Sequence, residues 1–140
     1  MKMKHREKNL IISNKVLDQY HQKLESVIKS KSLYLRPKLC LDDLSIETGI
    51  PVKYVKQVLS EKLNSNFFEF ISKYKIRRAK RLLTKIDDNH FSISNVATES
   101  GFNTDESFVA LFKKHTHMSP ENYRIKYFNI DPDSNNPIKD

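Results

Sequence analysis

Apolar residues recur along this chain at intervals of three and four, and each stretch is broken by a polar or turn-forming residue. Behind Ser13, a good N-cap, Leu17, Tyr20, Leu24, Val27 and Ile28 form one stripe, which predicts a helix to about Ser30. Residues 29–38 read as a polar connection, with Arg36-Pro37 setting an extended or turn geometry. A short helix is predicted over Leu41 to Thr48, with Asp42 and Asp43 in its first turn and Cys40 at the cap, a weak residue there. Another follows from about Val52 to Leu63, burying Val55, Val58, Leu59 and the stem of Lys62. A long helix spans about Phe67 to Lys85, its inner side carrying Phe67, Phe70, Ile71, Ala79, Leu82, Leu83 and Ile86.

After a loop at Asp87-Asp88-Asn89, Ser92 caps a fifth helix. Asp105 to Thr116 forms a sixth, with Phe108, Leu111 and Phe112 inward. Ser119-Pro120, a cap followed by proline, starts a seventh that runs to about Phe128. Residues 1–12 read as a flexible basic lead-in and 129–140 as a flexible tail. The fold class is therefore all-α, with about seven helices.

The chain has only two glycines, and they stand at matching points. Leu41, Leu44 and Ser45 precede Gly49 as Ile93, Val96 and Ala97 precede Gly101. A large apolar residue follows each, Ile50 or Phe102, and then an amphipathic helix. A glycine that ends one helix and turns the chain into the next is the punctuation of a helix-turn-helix. The offset is 52 residues up to the glycines and 53 beyond them, where Val55, Val58 and Leu59 align with Phe108, Leu111 and Phe112. The second turn is thus one residue longer. The match continues through Asn64 with His117 and Phe70 with Tyr123. This organises the chain as two homeodomain-like lobes, about 13–65 and 86–128, joined by a linking helix over 66–85.

Composition adds a partner class. The net charge is +8, which favours polyanions, nucleic acid before membrane. Residues 66–85 carry seven basic side chains and one acidic, whereas residues 86–128 carry four and six. The single Cys40 excludes an intramolecular disulfide and a multi-cysteine zinc site. No apolar run approaches membrane-spanning length, and the basic start lacks a signal peptide's apolar centre. Five scattered histidines and Cys40 make no convincing catalytic constellation, and no cofactor or metal is expected.

A helix-turn-helix places its second helix in the major groove, with residues near that helix's N-terminus touching base edges. In the first lobe these are Lys53, Lys56 and Gln57; lysine can donate to guanine and glutamine can pair with adenine. In the second lobe, the weaker reader, they are Glu106, Val109 and Ala110, beside Asp105. Glu106 could accept from a cytosine amino group, and Val109 or Ala110 could touch a thymine methyl. Asp105 and Glu106 also read as first-turn acids with no DNA role. Arg77, Arg78 and Arg81 of the long helix, Lys113, Lys114 and the helix start at Ser119 are the candidate phosphate contacts. Ordinary solvated faces are the alternative for each of these, and a helical protein-interaction adaptor is the alternative for the whole chain.

Gly101-Phe102, Ser107-Phe108, Phe112-Lys113-Lys114, Ser119-Pro120 and Tyr123-Arg124 together resemble the C-terminal signature of AraC/XylS-type bacterial transcription regulators. Phe67, Phe70-Ile71, Tyr74-Lys75-Ile76, Ala79 and Leu82-Leu83 are similar to that family's linking helix, and Leu41, Asp43-Leu44 and Tyr54-Val55 to its first unit. The resemblance covers about Leu17 to Phe128. It implies a DNA-binding domain over 13–128 that holds two reading helices on one face, about 34 Å apart, in a bacterial cytoplasmic regulator of transcription. It also implies contact with RNA polymerase and a separate sensor or dimerisation domain, for which this chain has no room. Four residues depart from the pattern. Asn64 and His117 stand where the family has glycine, Lys75 where arginine is common, and Glu106 where a small polar residue is common.

Overall fold

A computed structural model describes residues 12–85 and 92–128. Most of the lead-in, Ile86, the Asp87-Asp88-Asn89 loop and the tail lie outside the described residues. Among those described there are seven α-helices and no strand. They are α1 (Asn14–Lys31), α2 (Leu41–Thr48), α3 (Val52–Gln57), α4 (Phe67–Thr84), α5 (Ile93–Glu99), α6 (Asp105–Thr116) and α7 (Pro120–Tyr127). The chain divides into two compact units, residues 1–70 and 71–140, with the boundary inside α4.

The expected caps form. The hydroxyls of Ser13, Ser92 and Ser119 accept from the backbone N–H groups of Val16, Asn95 and Asn122. Asn66 starts α4 in the same way: its side-chain oxygen accepts from Glu69 N–H at 2.9 Å, while its amide donates to the Glu69 carboxylate. Cys40 works in reverse. The Asp43 carboxylate accepts from Cys40's N–H at 2.9 Å and from its thiol at 3.3 Å. Those two hydrogen bonds, the backbone one first, hold the Asp43 carboxyl below its ordinary range.

In unit 1, α1 packs against α2 and α3, and its Tyr20 ring lies 6.0 Å from that of Tyr54. Leu17, Leu24, Ile28, Leu44, Ile50, Val55, Val58 and Leu59 are all buried, a mainly aliphatic set, with the ring of Phe70 buried at the unit's end. Two features differ from the expected connections. Residues 29–38 are more than a polar link: α1 continues to Lys31, and a 3-10 turn at Leu33–Leu35 buries Leu33. The helix begun by α3 also widens into a π-helical segment, Val58–Lys62, where Leu63 N–H reaches back to the carbonyl of Val58. The Lys62 stem is half-buried as expected, and its ammonium meets Asp18 at 3.0 Å.

Unit 2 is built on rings. Phe102, Phe108, Phe112, Tyr123 and Tyr127 form a continuous series with centroid spacings of 5.1, 5.5, 5.2 and 4.5 Å. These are tilted and edge-to-face contacts, which suit the ring quadrupole. Ile76, Ala79 and Leu83 of α4 and Val96 and Ala97 of α5 complete that core. The burial pattern of α4 is broader than its expected stripe. Ser72, Tyr74 and Ile76 are buried, while Phe67 and Leu82 are half-buried. Leu111, expected inward, is half-buried at the core's margin.

Candidate nucleic-acid interface

Each unit contains a helix, a left-handed glycine and a second helix. Gly49 has φ 76° and Gly101 has φ 92°, values that favour glycine. From the glycine, α3 begins three residues on and α6 four, so the extra residue sits in the second turn. The two turns are locked differently. In unit 1 the buried Thr48 hydroxyl donates to the Leu44 carbonyl at 2.6 Å and accepts from Ile50 N–H at 3.2 Å. The equivalent residue in unit 2 is Ser100. Its hydroxyl is fully buried and has no hydrogen-bond partner among the described residues. There the backbone closes the turn, with Phe102 N–H donating to the Ala97 carbonyl at 3.0 Å, a Schellman-type bond.

The far ends of the second helices also match. Asn64 and His117 both take the left-handed conformation, at φ 47° and 63°. The turns expected at these positions therefore form without glycine. Asparagine tolerates the conformation readily and histidine less well.

On α3, Lys53 and Lys56 are exposed and Gln57 is half-buried. The Lys53 ammonium lies 4.9 Å from the centroid of the Tyr54 ring. Lys56 has no partner among the described residues. Behind this helix, Glu47 of α2 receives Lys31 at 2.8 Å and Arg36 at 2.9 Å. These two hydrogen bonds hold its carboxyl below the ordinary range. The cluster ties α1, the connection and α2 together.

On α6, the Thr104 hydroxyl accepts from Ser107 N–H and fixes the helix start. Asp105, Glu106 and Ala110 are exposed. Val109, grouped with them on sequence grounds, is half-buried and packs on the unit 2 core. Its i+4 neighbour Lys113 and the adjacent Lys114 are exposed in the last turn. Asp105 is held by the Ser94 hydroxyl of α5 at 3.1 Å. Ser119 is half-buried and uses its hydroxyl as the α7 cap, so its own contribution to an anion would be through the helix start.

The cations of α4 do not share one role. Arg77 and Arg81 are exposed, and Arg77 lies 5.7 Å from the Tyr74 ring. Arg78 is turned to α5: its Nε donates to the Glu99 carbonyl at 2.7 Å and its guanidinium lies 3.9 Å from the Glu99 carboxylate. A cation there satisfies a helix C-terminus. Lys75 sits 5.6 Å from the Phe102 ring just after Gly101, and burial lowers its pKa. Charge alone groups Arg78 with the phosphate contacts; neither charge nor the apolar pattern signals that Lys75 and Arg78 brace the second turn. Among the described residues no three His, Cys, Asp or Glu side chains gather to hold a metal ion, and no helix is long and apolar enough to cross a membrane.

A family model described as a helix-turn-helix domain matches residues 44–126, which include both glycine turns and both second helices. The chain belongs to that family, in its AraC-type form. It is 30% identical over 102 residues to an uncharacterized HTH-type transcriptional regulator of Staphylococcus aureus (strain COL), a match that covers 73% of this chain and 13% of that protein. Among solved structures, it is similar to an AraC-type transcriptional regulator of Chromobacterium violaceum, with a TM-score of 0.66, 17% identity and coverage of 78% and 95% of the two chains. It is also similar to the DNA-binding domain of the global transcriptional factor AdpA, solved with a target DNA, with a TM-score of 0.62, 20% identity and coverage of 74% and 91%. These likenesses agree with the all-α fold of two helix-turn-helix units.

Proposed function

We propose that this AraC-type domain binds double-stranded DNA in a sequence-selective manner and regulates transcription, each unit placing its second helix, α3 or α6, in a major groove. The observation that carries this reading is the repeated helix, left-handed glycine and second helix, with exposed side chains on the face a groove would meet. Lys53, Lys56 and Gln57 are the base readers of unit 1; Glu106 and Ala110 are those of unit 2, with Val109 supporting them from the core margin. Arg77, Arg81, Lys113, Lys114 and the α7 start at Ser119 meet phosphates, which gives affinity without sequence information. Arg78 acts first as the brace of α5. The AdpA domain, solved on its target DNA, supports the same use of this fold.

The wider setting belongs to the same proposal: a bacterial cytoplasmic regulator that contacts RNA polymerase and takes its signal from a sensor or dimerisation domain. The S. aureus relative is much longer than this chain, which leaves room for such parts. Selection of bound duplexes from a random double-stranded library tests the central claim. A defined motif, bound with an affinity that falls steeply with salt, is the expected result. Equal retention of all sequences would overturn it.

A further inference from the structure

Two adjacent carboxylates open α6, and the structure separates them. Asp105 is engaged by Ser94 of α5. Glu106, one residue on, is exposed and has neither a hydrogen-bond nor an ion-pair partner among the described residues. Its position in the first turn is set by the Thr104 cap. First-turn residues of a second helix are the ones that reach base edges. A free carboxylate there has a narrow chemistry, because an ionised glutamate only accepts hydrogen bonds.

The major-groove edges can be compared against that requirement. Guanine shows N7 and O6, both acceptors, and thymine shows O4, also an acceptor. Each would repel Glu106. Adenine offers its N6 donor, but the N7 acceptor lies beside it on the same edge. Cytosine offers the N4 donor alone. On guanine or thymine the carboxylate meets phosphates and acceptors with nothing to offset its charge, and on adenine the N7 acceptor beside N6 reduces the gain. Selection by such a penalty sharpens discrimination while lowering affinity for every mismatched site.

We propose that Glu106 is the specificity-determining residue of unit 2, and that it selects a cytosine in that unit's half of the site. This rests on the DNA-binding reading above and names the base that reading leaves open. Ala110, one turn along the same face and exposed, contributes only an apolar contact, which suits a neighbouring thymine methyl. Asp105, held by Ser94, carries no base preference.

The test is a random double-stranded library selection run in parallel on the 140-residue chain and its Glu106→Gln, Glu106→Ala and Asp105→Asn variants, with helix content checked by circular dichroism. The unaltered chain should prefer cytosine at one position of its motif by about tenfold or more. Glu106→Gln should move that single position toward adenine, because an amide can pair with N6 and N7 together. Glu106→Ala should flatten the position and bind mismatched duplexes more tightly, and Asp105→Asn should leave it unchanged. If the unaltered chain enriches no motif at all, the DNA-binding reading itself fails. If it enriches a motif whose every position survives both Glu106 substitutions, or one with no cytosine-preferring position, the assignment of Glu106 is overturned while the DNA-binding reading stands. A shift caused by Asp105→Asn and not by Glu106→Gln would overturn it in favour of the neighbouring acid.

Discussion

The two helix-turn-helix units share a chain path but reach it with different materials. Unit 1 fills its core mainly with Leu, Ile and Val, locks its turn through the Thr48 hydroxyl, and presents Lys53 and Lys56. Unit 2 fills its core with a series of aromatic rings, closes its turn through the backbone, buries a Ser100 hydroxyl that has no partner among the described residues, and presents Asp105 and Glu106. A fold of this kind constrains where apolar side chains sit and where the backbone turns left-handed. It leaves the hydroxyl at the turn and the charge on the outer face free to vary. On the proposed DNA-binding reading, the first unit's outer face therefore attracts DNA more strongly, and the second adds a charge penalty at mismatched sites.

The largest effects bear on whether the units are separate folding bodies. Phe108→Ala should cost about 3–5 kcal/mol by removing a fully buried ring from the series. Hydrogen exchange should show that destabilisation mainly in residues 92–128. Leu44→Ala, at about 2–5 kcal/mol, should show it mainly in residues 12–66. Uniform destabilisation along the chain in both variants would break the two-unit comparison.

The charge contrast comes next. Replacing Lys53 and Lys56 together by alanine should weaken duplex binding more than replacing Lys113 and Lys114. Replacing Lys113 and Lys114, the phosphate contacts, should instead reduce the slope of log affinity on log salt by up to about 0.9 for each phosphate that is no longer neutralised. Equal weakening by the two pairs would remove the asymmetry.

The turns give a contrast in sign. Thr48→Ala removes a hydroxyl that serves a buried carbonyl and the Ile50 N–H, and should destabilise by about 1–3 kcal/mol. Ser100→Ala removes a buried hydroxyl that no described residue satisfies, and should stabilise by up to about 1 kcal/mol. Denaturant titration of both variants decides the matter, and a destabilising Ser100→Ala would show that the hydroxyl has a role in the fold.

The left-handed positions differ by less. His117→Gly should raise stability by about 0.5–1 kcal/mol, more than Asn64→Gly, because asparagine already tolerates φ above zero. Thermal melting can rank the two.

The smallest effect is acid-dependent and confined to unit 1. Lys31 and Arg36 hold the Glu47 carboxyl below its ordinary value of 4.5. Its contribution is therefore complete above that value and disappears as the pH falls through the lower folded one. Glu47→Gln should leave a chain slightly less stable near neutrality, with a shallower decline on acidification. An unchanged acid limb would show the cluster to be energetically idle.

Much of this molecule is legible in its sequence. The seven helices, their caps at Ser13, Ser92 and Ser119, the two glycine turns and the inward Val55, Val58, Phe108 and Phe112 all follow from local rules. Helical periodicity and capping act over three or four residues, and so they are visible in a string of letters. Leu33 is hidden because the run Leu33-Tyr34-Leu35, set in a polar stretch, is too short to show a helical period. The π-helical segment after α3 is hidden because it changes hydrogen-bond register and leaves the apolar pattern intact.

The sequence by itself determined the helix order, the duplication and the excess of positive charge in α4. Only the tertiary structure decided what each polar side chain does. It turned Arg78 to the end of α5, set Lys75 against the Phe102 ring, tied Asp105 to Ser94 and left Glu106 exposed. The physical reason is distance along the chain. A helix needs partners within one turn, whereas Arg78 meets a carbonyl 21 residues away and Asp105 a hydroxyl 11 residues away. Such pairings exist only once the helices have packed.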